Sequence, residues 1–245
     1  GEDYRLKKIR TTEAELFGPE DPAPAQAPTW RIPQRVRSLP FLEIIFTILG
    51  TVGVIVLMVT YVRTGGVVSA AVMTALALIP LVILLGVLSY LDRWEREGWK
   101  SNFICFIWGA GVATLSSLVV NSTLNLDLVR TLGDQDSAAV IVAVFVAPVA
   151  EEFFKGIGVI IFILARRTSI NSRLDGLICG GIVGAGFAFI ENIQYFLRTS
   201  SSGAFMLTTT VFTRGILSPF VHPMATSFTG MAIALVLIRR YGALW

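Results

Sequence analysis

Charge and histidine are what this sequence has least of. Lys, Arg, Asp and Glu make up 15% of its 245 residues, where a soluble domain carries about a quarter, and mean hydropathy is +0.70. A chain so poor in charge belongs in a membrane rather than in water. Histidine occurs once, as His222, which excludes the H-E-x-x-H zinc motif because that motif needs two imidazoles on one helix. Cysteine occurs twice, too rarely for a disulfide framework. Cys105 and Cys179 lie in apolar runs far apart in the chain, the setting of buried free thiols that act as small hydrophobes. Glycine, at 22, falls short of collagen's one residue in three, and 54% hydrophobic content excludes a wholly disordered chain. No short apolar run with a cleavage site heads the sequence, so no signal peptide is expected.

Long apolar runs are present instead. A hydrocarbon core about 30 Å thick takes about 20 residues of helix, and the runs predict helices near 40–62, 67–91, 102–120, 138–165, 176–197 and 218–238. The fold class is therefore an all-α polytopic membrane protein of about six transmembrane helices, or seven if 204–217 crosses. Residues 1–39 read as a polar, proline-rich tail in which repeated prolines forbid regular structure, and residues 40–241 as the transmembrane domain. The fifth predicted helix carries Gly176, Gly180 and Gly184 at a spacing of four, a face that lets a neighbouring backbone come close. Ser200 to Gly203 interrupt the pattern, and 204–217 is short and contains Arg214, which favours a re-entrant or interfacial segment.

The net charge of +3 has a topological meaning, and no nucleic-acid partner is expected. Seven Lys and Arg lie in the tail, then Arg93, Arg96 and Lys100, Arg166, Arg167 and Arg173, and Arg239 and Arg240, all on one side of a six-helix topology. The other side holds Arg63, Arg130 and Arg198 with Asp127, Asp134 and Asp136. The positive-inside rule then puts both termini in the cytoplasm.

Five ionisable residues remain deep in the predicted helices: Glu151, Glu152, Lys155, Glu191 and His222. Each charge near a bilayer centre costs about 2.5–3.5 kcal/mol on insertion scales, so the set requires pairing, protonation or hydration. Lys155 lies four residues after Glu151 and three after Glu152, within reach of both on one helical face. Three carboxylates against one lysine must hold a proton, a water network or a divalent cation. A carboxylate able to take and release a proton near neutral pH is what a general base requires, and His222 adds a second proton-transfer group or a metal ligand.

Each feature also has a structural reading. Glu151, Glu152 and Lys155 could be an ion-pair staple between helices, and His222 a cap or interfacial residue. Ser218, one turn before His222, invites a Ser-His dyad, but Ser218-Pro219 reads better as an N-cap followed by proline at the first helical position. Asn192 and Tyr195 could orient a carboxylate, stabilise an oxyanion or bond across helices. Arg214 could snorkel to the interface or bridge to the acidic cluster. By depth, Glu151, Glu191 and His222 converge between the midplane and the outer leaflet, so the expected cavity opens outward.

Glu151-Glu152-Phe-Phe-Lys155, Phe187-Ala-Phe-Ile-Glu191-Asn192 and His222-Pro-Met-Ala-Thr226 resemble the E-E-x-x-K, F-x-x-x-E-N and H-x-x-x-T motifs of the PrsW family of intramembrane proteases, itself similar to the CAAX-processing and bacteriocin-immunity protease group. The resemblance extends to Leu91-Asp-Arg-Trp-Glu95, Arg214 and Pro219, and covers roughly residues 40 to 240. It departs where the family often has Glu-Pro-Glu-Pro and this chain reads Glu95-Arg-Glu-Gly98.

The resemblance implies a protease domain over 40–241 that hydrolyses peptide bonds in or beside the membrane. It implies Glu151 as the base that activates water, tuned by Glu152 and Lys155, with Glu191 and His222 completing a water or metal site. Asn192 would polarise the scissile carbonyl. The metal ligands would be Glu151, Glu191 and His222 around a divalent ion such as zinc, although a glutamate–water mechanism without metal fits the same residues. The implied partner is a single-span membrane protein such as an anti-sigma factor, cleaved on the extracytoplasmic side of a bacterial plasma membrane. Two other functions are open to the same residues: a proton- or cation-coupled transporter or channel using the carboxylate–lysine cluster as a relay, and a non-catalytic membrane binding protein.

Overall fold

The structure, a computed structural model, describes residues 40–93, 98–166, 170 and 172–242. The tail of 1–39, the Glu95–Glu97 loop positions and Arg167 lie outside the described residues. The chain forms α1 (Pro40–Gly65), α2 (Val67–Leu91), α3 (Trp99–Leu132), α4 (Gln135–Ala165), α5 (Arg173–Ser200), α6 (Ala204–Phe212, continued by a π-helical turn over Thr213–Leu217) and α7 (Val221–Gly242). Among the described residues six stretches are long and apolar enough to cross a membrane, the sixth being Ala204–Arg239 taken over α6 and α7 together.

The expected 102–120 and 138–165 helices are longer than their apolar runs. The stretch after Val120 is rich in Asn and Asp and reads as a loop, but it contains no glycine or proline before Gly133, so α3 runs on to Leu132. Gly133 then adopts φ 68° and ends it, a conformation glycine enters at no steric cost. Asp134 starts α4 at once, its carboxylate accepting from the backbone N–H of Asp136 and of Ser137. Hydrogen bonds from Ser137, side chain first and then backbone, and from the Asp136 N–H hold that carboxyl below its ordinary range. At the start of α5 a reciprocal capping box joins Ser172 and Asp175, satisfying two N–H groups the helix leaves without partners.

Segment 204–217 is helical, with no buried residue along its length. The chain then breaks over Ser218–Phe220 before α7 begins at Val221. Ser218 therefore does not act as the expected side-chain N-cap: its hydroxyl donates back to the Thr213 carbonyl at 2.9 Å, because the π turn leaves that carbonyl within reach. The same bond occupies the hydroxyl that a Ser-His dyad would use.

α5 is central. About 89% of its most apolar stretch is buried, against 22% for α1 and 33% for α2, although α5 is less apolar than either. Lipid rewards large apolar side chains on outer helices, whereas inner helices gain from close approach. Carbon atoms added at Gly176, Gly180 and Gly184 would lie 2.3 Å from the Gly230 carbonyl oxygen, 2.1 Å from that of Thr226 and 2.7 Å from that of His222, so this stripe is the seat of α7. A second face of α5 meets α3, where Gly186 abuts the Phe106 carbonyl and Gly109 abuts that of Val183. There Cys105 and Cys179, both buried and not joined in a disulfide, have their sulfurs 3.0 Å apart.

The α5–α7 seam generates a prediction. Gly180→Val would drive a branched side chain into the α7 backbone, costing at least the roughly 1–3 kcal/mol of an overpacked core. Gly86→Ala, with no atom within 4 Å of the added carbon, should be near neutral. Thermal unfolding in detergent checks this, and equal unfolding temperatures for the two variants would contradict the packing role.

Candidate active site

Four helices deliver charged or polar groups to one place. α4 offers Glu151, Glu152 and Lys155, one turn after the π-helical segment Val142–Val146. α5 offers Phe187, Glu191, Asn192 and Tyr195, the π turn after α6 offers Arg214, and the first turns of α7 offer His222 and Thr226. π turns re-aim side chains relative to a regular helix and recur at functional sites.

Lys155 is the anchor and is fully buried. Its ammonium lies 2.5 Å from Glu152 Oε1 and 3.0 Å from His222 Nδ1, and 4.3 Å from the centre of the Phe187 ring. Charge, hydrogen bonding and the aromatic face together compensate its desolvation. A protonated lysine has only donors, so Nδ1 of His222 is an acceptor and the ring proton sits on Nε2. That nitrogen lies 2.9 Å from Glu191 Oε2 and donates to it. Phe187 also packs on the imidazole, with centroids 5.2 Å apart. The Thr226 hydroxyl, fully buried, stands 3.0 Å from the His222 carbonyl and 3.4 Å from Glu152 Oε2.

Arg214 bridges to the acidic cluster rather than snorkelling. Its guanidinium hydrogen-bonds Glu191 Oε2, donates from Nε to Asn192 Oδ1 at 3.0 Å, and lies 4.0 Å above the Tyr195 ring. The cluster thus sets two cations, not one, against Glu151, Glu152 and Glu191. Sequence reasoning left Arg214 out of the site because it sits in a short segment next to a break, where either reading fits. Thr226 was visible as the last letter of its motif but carried no role.

The three carboxylates differ in how fully they are engaged. Glu191 accepts from His222 and Arg214, and Glu152 from Lys155. Glu151 has no hydrogen-bond donor among the described residues; the Nδ1 of His222 is 3.9 Å from its Oε2. A cavity of about 120 Å³ adjoins the cluster, bordered by Ala188, Asn192, Arg214, Ser218, Pro219 and His222 among others, roomy and polar enough to hold water. A larger space of about 440 Å³ between α2, α3 and α5, with Leu85, Phe106 and Ile182 in its wall, contains no member of the cluster.

Glu151, Glu191 and His222 each present one ligand atom, all within 4.8 Å of one another. Two carboxylates and an imidazole make a donor set suited to a borderline divalent ion, and three protein ligands leave the open position that catalytic sites keep. The residues therefore fit such an ion, which would replace Lys155 or Glu191 as the partner of one imidazole nitrogen.

Residues 97–244 match the model of the PrsW family intramembrane metalloprotease. No curated protein and no solved structure matches the chain. The matched span holds every residue of the four-helix cluster, from Glu151 to Thr226, and covers more than half of the sequence; the chain belongs to the PrsW family of intramembrane metalloproteases.

Proposed function

We propose that this protein hydrolyses a peptide bond of a single-span membrane protein, such as an anti-sigma factor, at the outer half of a bacterial plasma membrane. The observation that carries the reading is the convergence of three carboxylates, two cations and one imidazole inside apolar helices, with a single carboxylate left unengaged. The outward side follows from the distribution of Lys and Arg among the loops.

Glu151 is the general base. Its oxygens accept no hydrogen bond from the described residues, so it can take a proton from water as the water oxygen adds to the scissile carbonyl. The same carboxyl then gives that proton to the departing nitrogen as the C–N bond breaks. Lys155 and Glu152 hold His222 in one tautomer, and His222 in turn orients Glu191. Asn192, on the cavity wall, donates to the oxygen that becomes negative. The resident ion we assign is zinc, which would be held by Glu191, His222 and one carboxylate oxygen of Glu151, leaving the other oxygen of Glu151 as the base; when bound it would supply positive charge that acidifies water and polarises a carbonyl.

Three outcomes are expected. With a tagged single-span test protein in detergent, Glu151→Gln and His222→Ala should each cut the rate by about 10²–10⁴-fold while still folding; cleavage at the parent rate by either would sink the protease reading. Glu152→Gln should lower stability by about 3–5 kcal/mol, because the fully buried Lys155 ammonium would lose its carboxylate partner, whereas Lys155→Met, which strands only a partly exposed carboxylate, should cost less; denaturant unfolding compares them. Elemental analysis should find one zinc per chain, and dialysis against chelator should stop cleavage until zinc is restored. Full activity of the metal-free protein would eliminate the ion and leave the Glu151–water reaction.

A further inference from the structure

Asn192 is the one uncharged amide in the cluster, and its two ends are chemically opposite. Oδ1 accepts a hydrogen bond and Nδ2 donates two, so which end faces the cavity decides whether the residue attracts or repels a developing oxyanion. A side-chain amide held loosely would present either end.

The neighbour of Asn192 removes that freedom. Arginine carries donors only, and Arg214 Nε lies 3.0 Å from Asn192, so the amide end turned to Arg214 has to be Oδ1. The NH2 end is then turned away, and no acceptor among the described residues takes its hydrogens, while Asn192 borders the cavity of about 120 Å³ beside His222. Arg214 is itself held by α5 at three positions: Glu191 and Asn192 by hydrogen bonds, and Tyr195 by its ring face. Asn192 is buried and the Arg214 side chain is only partly exposed, so the bond is shielded from bulk water.

We propose that Arg214 is a positioning residue for proteolysis: it clamps the Asn192 amide so that its NH2 group, not its carbonyl, meets the oxyanion formed when water adds to the scissile carbonyl. The assignment rests on the protease reading above. It also ties the oxyanion donor to α6, because the guanidinium is delivered by the π turn Thr213–Leu217. A peptide carbonyl would therefore find a donor only while this otherwise exposed segment is docked on α5.

The test uses full-length protein and the single-span test protein whose cleavage depends on Glu151. Asn192→Asp retains an acceptor for Arg214 and the side-chain shape but has no donor. Its kcat should fall on the order of 10²–10³-fold, with KM within about twofold and the fold retained by circular dichroism; the added carboxylate shares Arg214 with Glu191, so the unfolding temperature should not exceed that of the parent. Arg214→Ala should lower kcat at least about tenfold, the scale of a misplaced catalytic group, and Arg214→Lys should restore part of the loss. The double variant Arg214→Ala, Asn192→Asp should be no slower than Asn192→Asp alone, because the clamp then has nothing to position. Cleavage by Asn192→Asp within about threefold of the parent would overturn the donor role, and losses that multiply in the double variant would place the effect of Arg214 on Glu191 instead. If the parent protein cleaves nothing, the protease reading fails and takes this assignment with it, an outcome distinct from an active parent with an active Asn192→Asp.

Discussion

Charge held among membrane-spanning helices must be answered by charge at contact distance, and in this protein that requirement joins α4, α5, α6 and α7. A lone ion in hydrocarbon has no bulk water to fall back on, so each group keeps its place only while its partners keep theirs. Lys155 meets Glu152 and His222, His222 meets Glu191, and Glu191 meets Arg214. The chain of contacts passes through every helix that contributes to the site. Moving any one of them strands a charge on its neighbour, which makes the cluster a structural clasp as well as the candidate active site.

Such short contacts need helix axes that come unusually close, and α5 supplies the means. Gly180 and Gly184 lie under the carbonyls of Thr226 and His222, so the stripe that seats α7 also sets the height of the imidazole. On α3, Gly109 and Gly111 let the π turn Trp108–Ala113 press against α5 and α1, and the Thr114 hydroxyl takes up the Gly109 carbonyl. The Trp108 indole reaches α4 and donates to the Phe154 carbonyl at 3.0 Å. This bond, one residue before Lys155, fixes α4 from behind while the ion pairs hold it from the front.

Much of this was legible in the sequence because membranes make ionisable residues conspicuous. Glu151, Glu152, Lys155, Glu191 and His222 stood out by type and spacing, and the glycine period of four announced the α5 seam. Two things were not legible. The length of α3 was hidden because polar residues after Val120 resemble a loop, yet a helix needs only the absence of a breaker to continue and the first one is Gly133. The position of Arg214 was hidden because a guanidinium near a helix break satisfies snorkelling and bridging equally well on paper. What separates them is the π turn, a backbone feature with no sequence signature, which aims the side chain at Glu191 rather than at the interface.

The engaged and unengaged carboxylates follow from one count. Two cations, Lys155 and Arg214, stand against three carboxylates, and the imidazole is neutral because Lys155 takes its Nδ1 lone pair. Full ionisation would therefore leave one negative charge without a partner in a low-dielectric setting, which is costly unless a proton or a metal ion arrives. Glu191 and Glu152 are spoken for by direct contacts, so the uncompensated charge falls to Glu151. A base and a metal ligand are two ways of filling the same electrostatic deficit, which is why one arrangement of residues suits both chemistries. The excess of a single carboxylate is thus what the proposed reaction draws on: with a third cation in place, the same helices would hold a fully satisfied and inert ion-pair network.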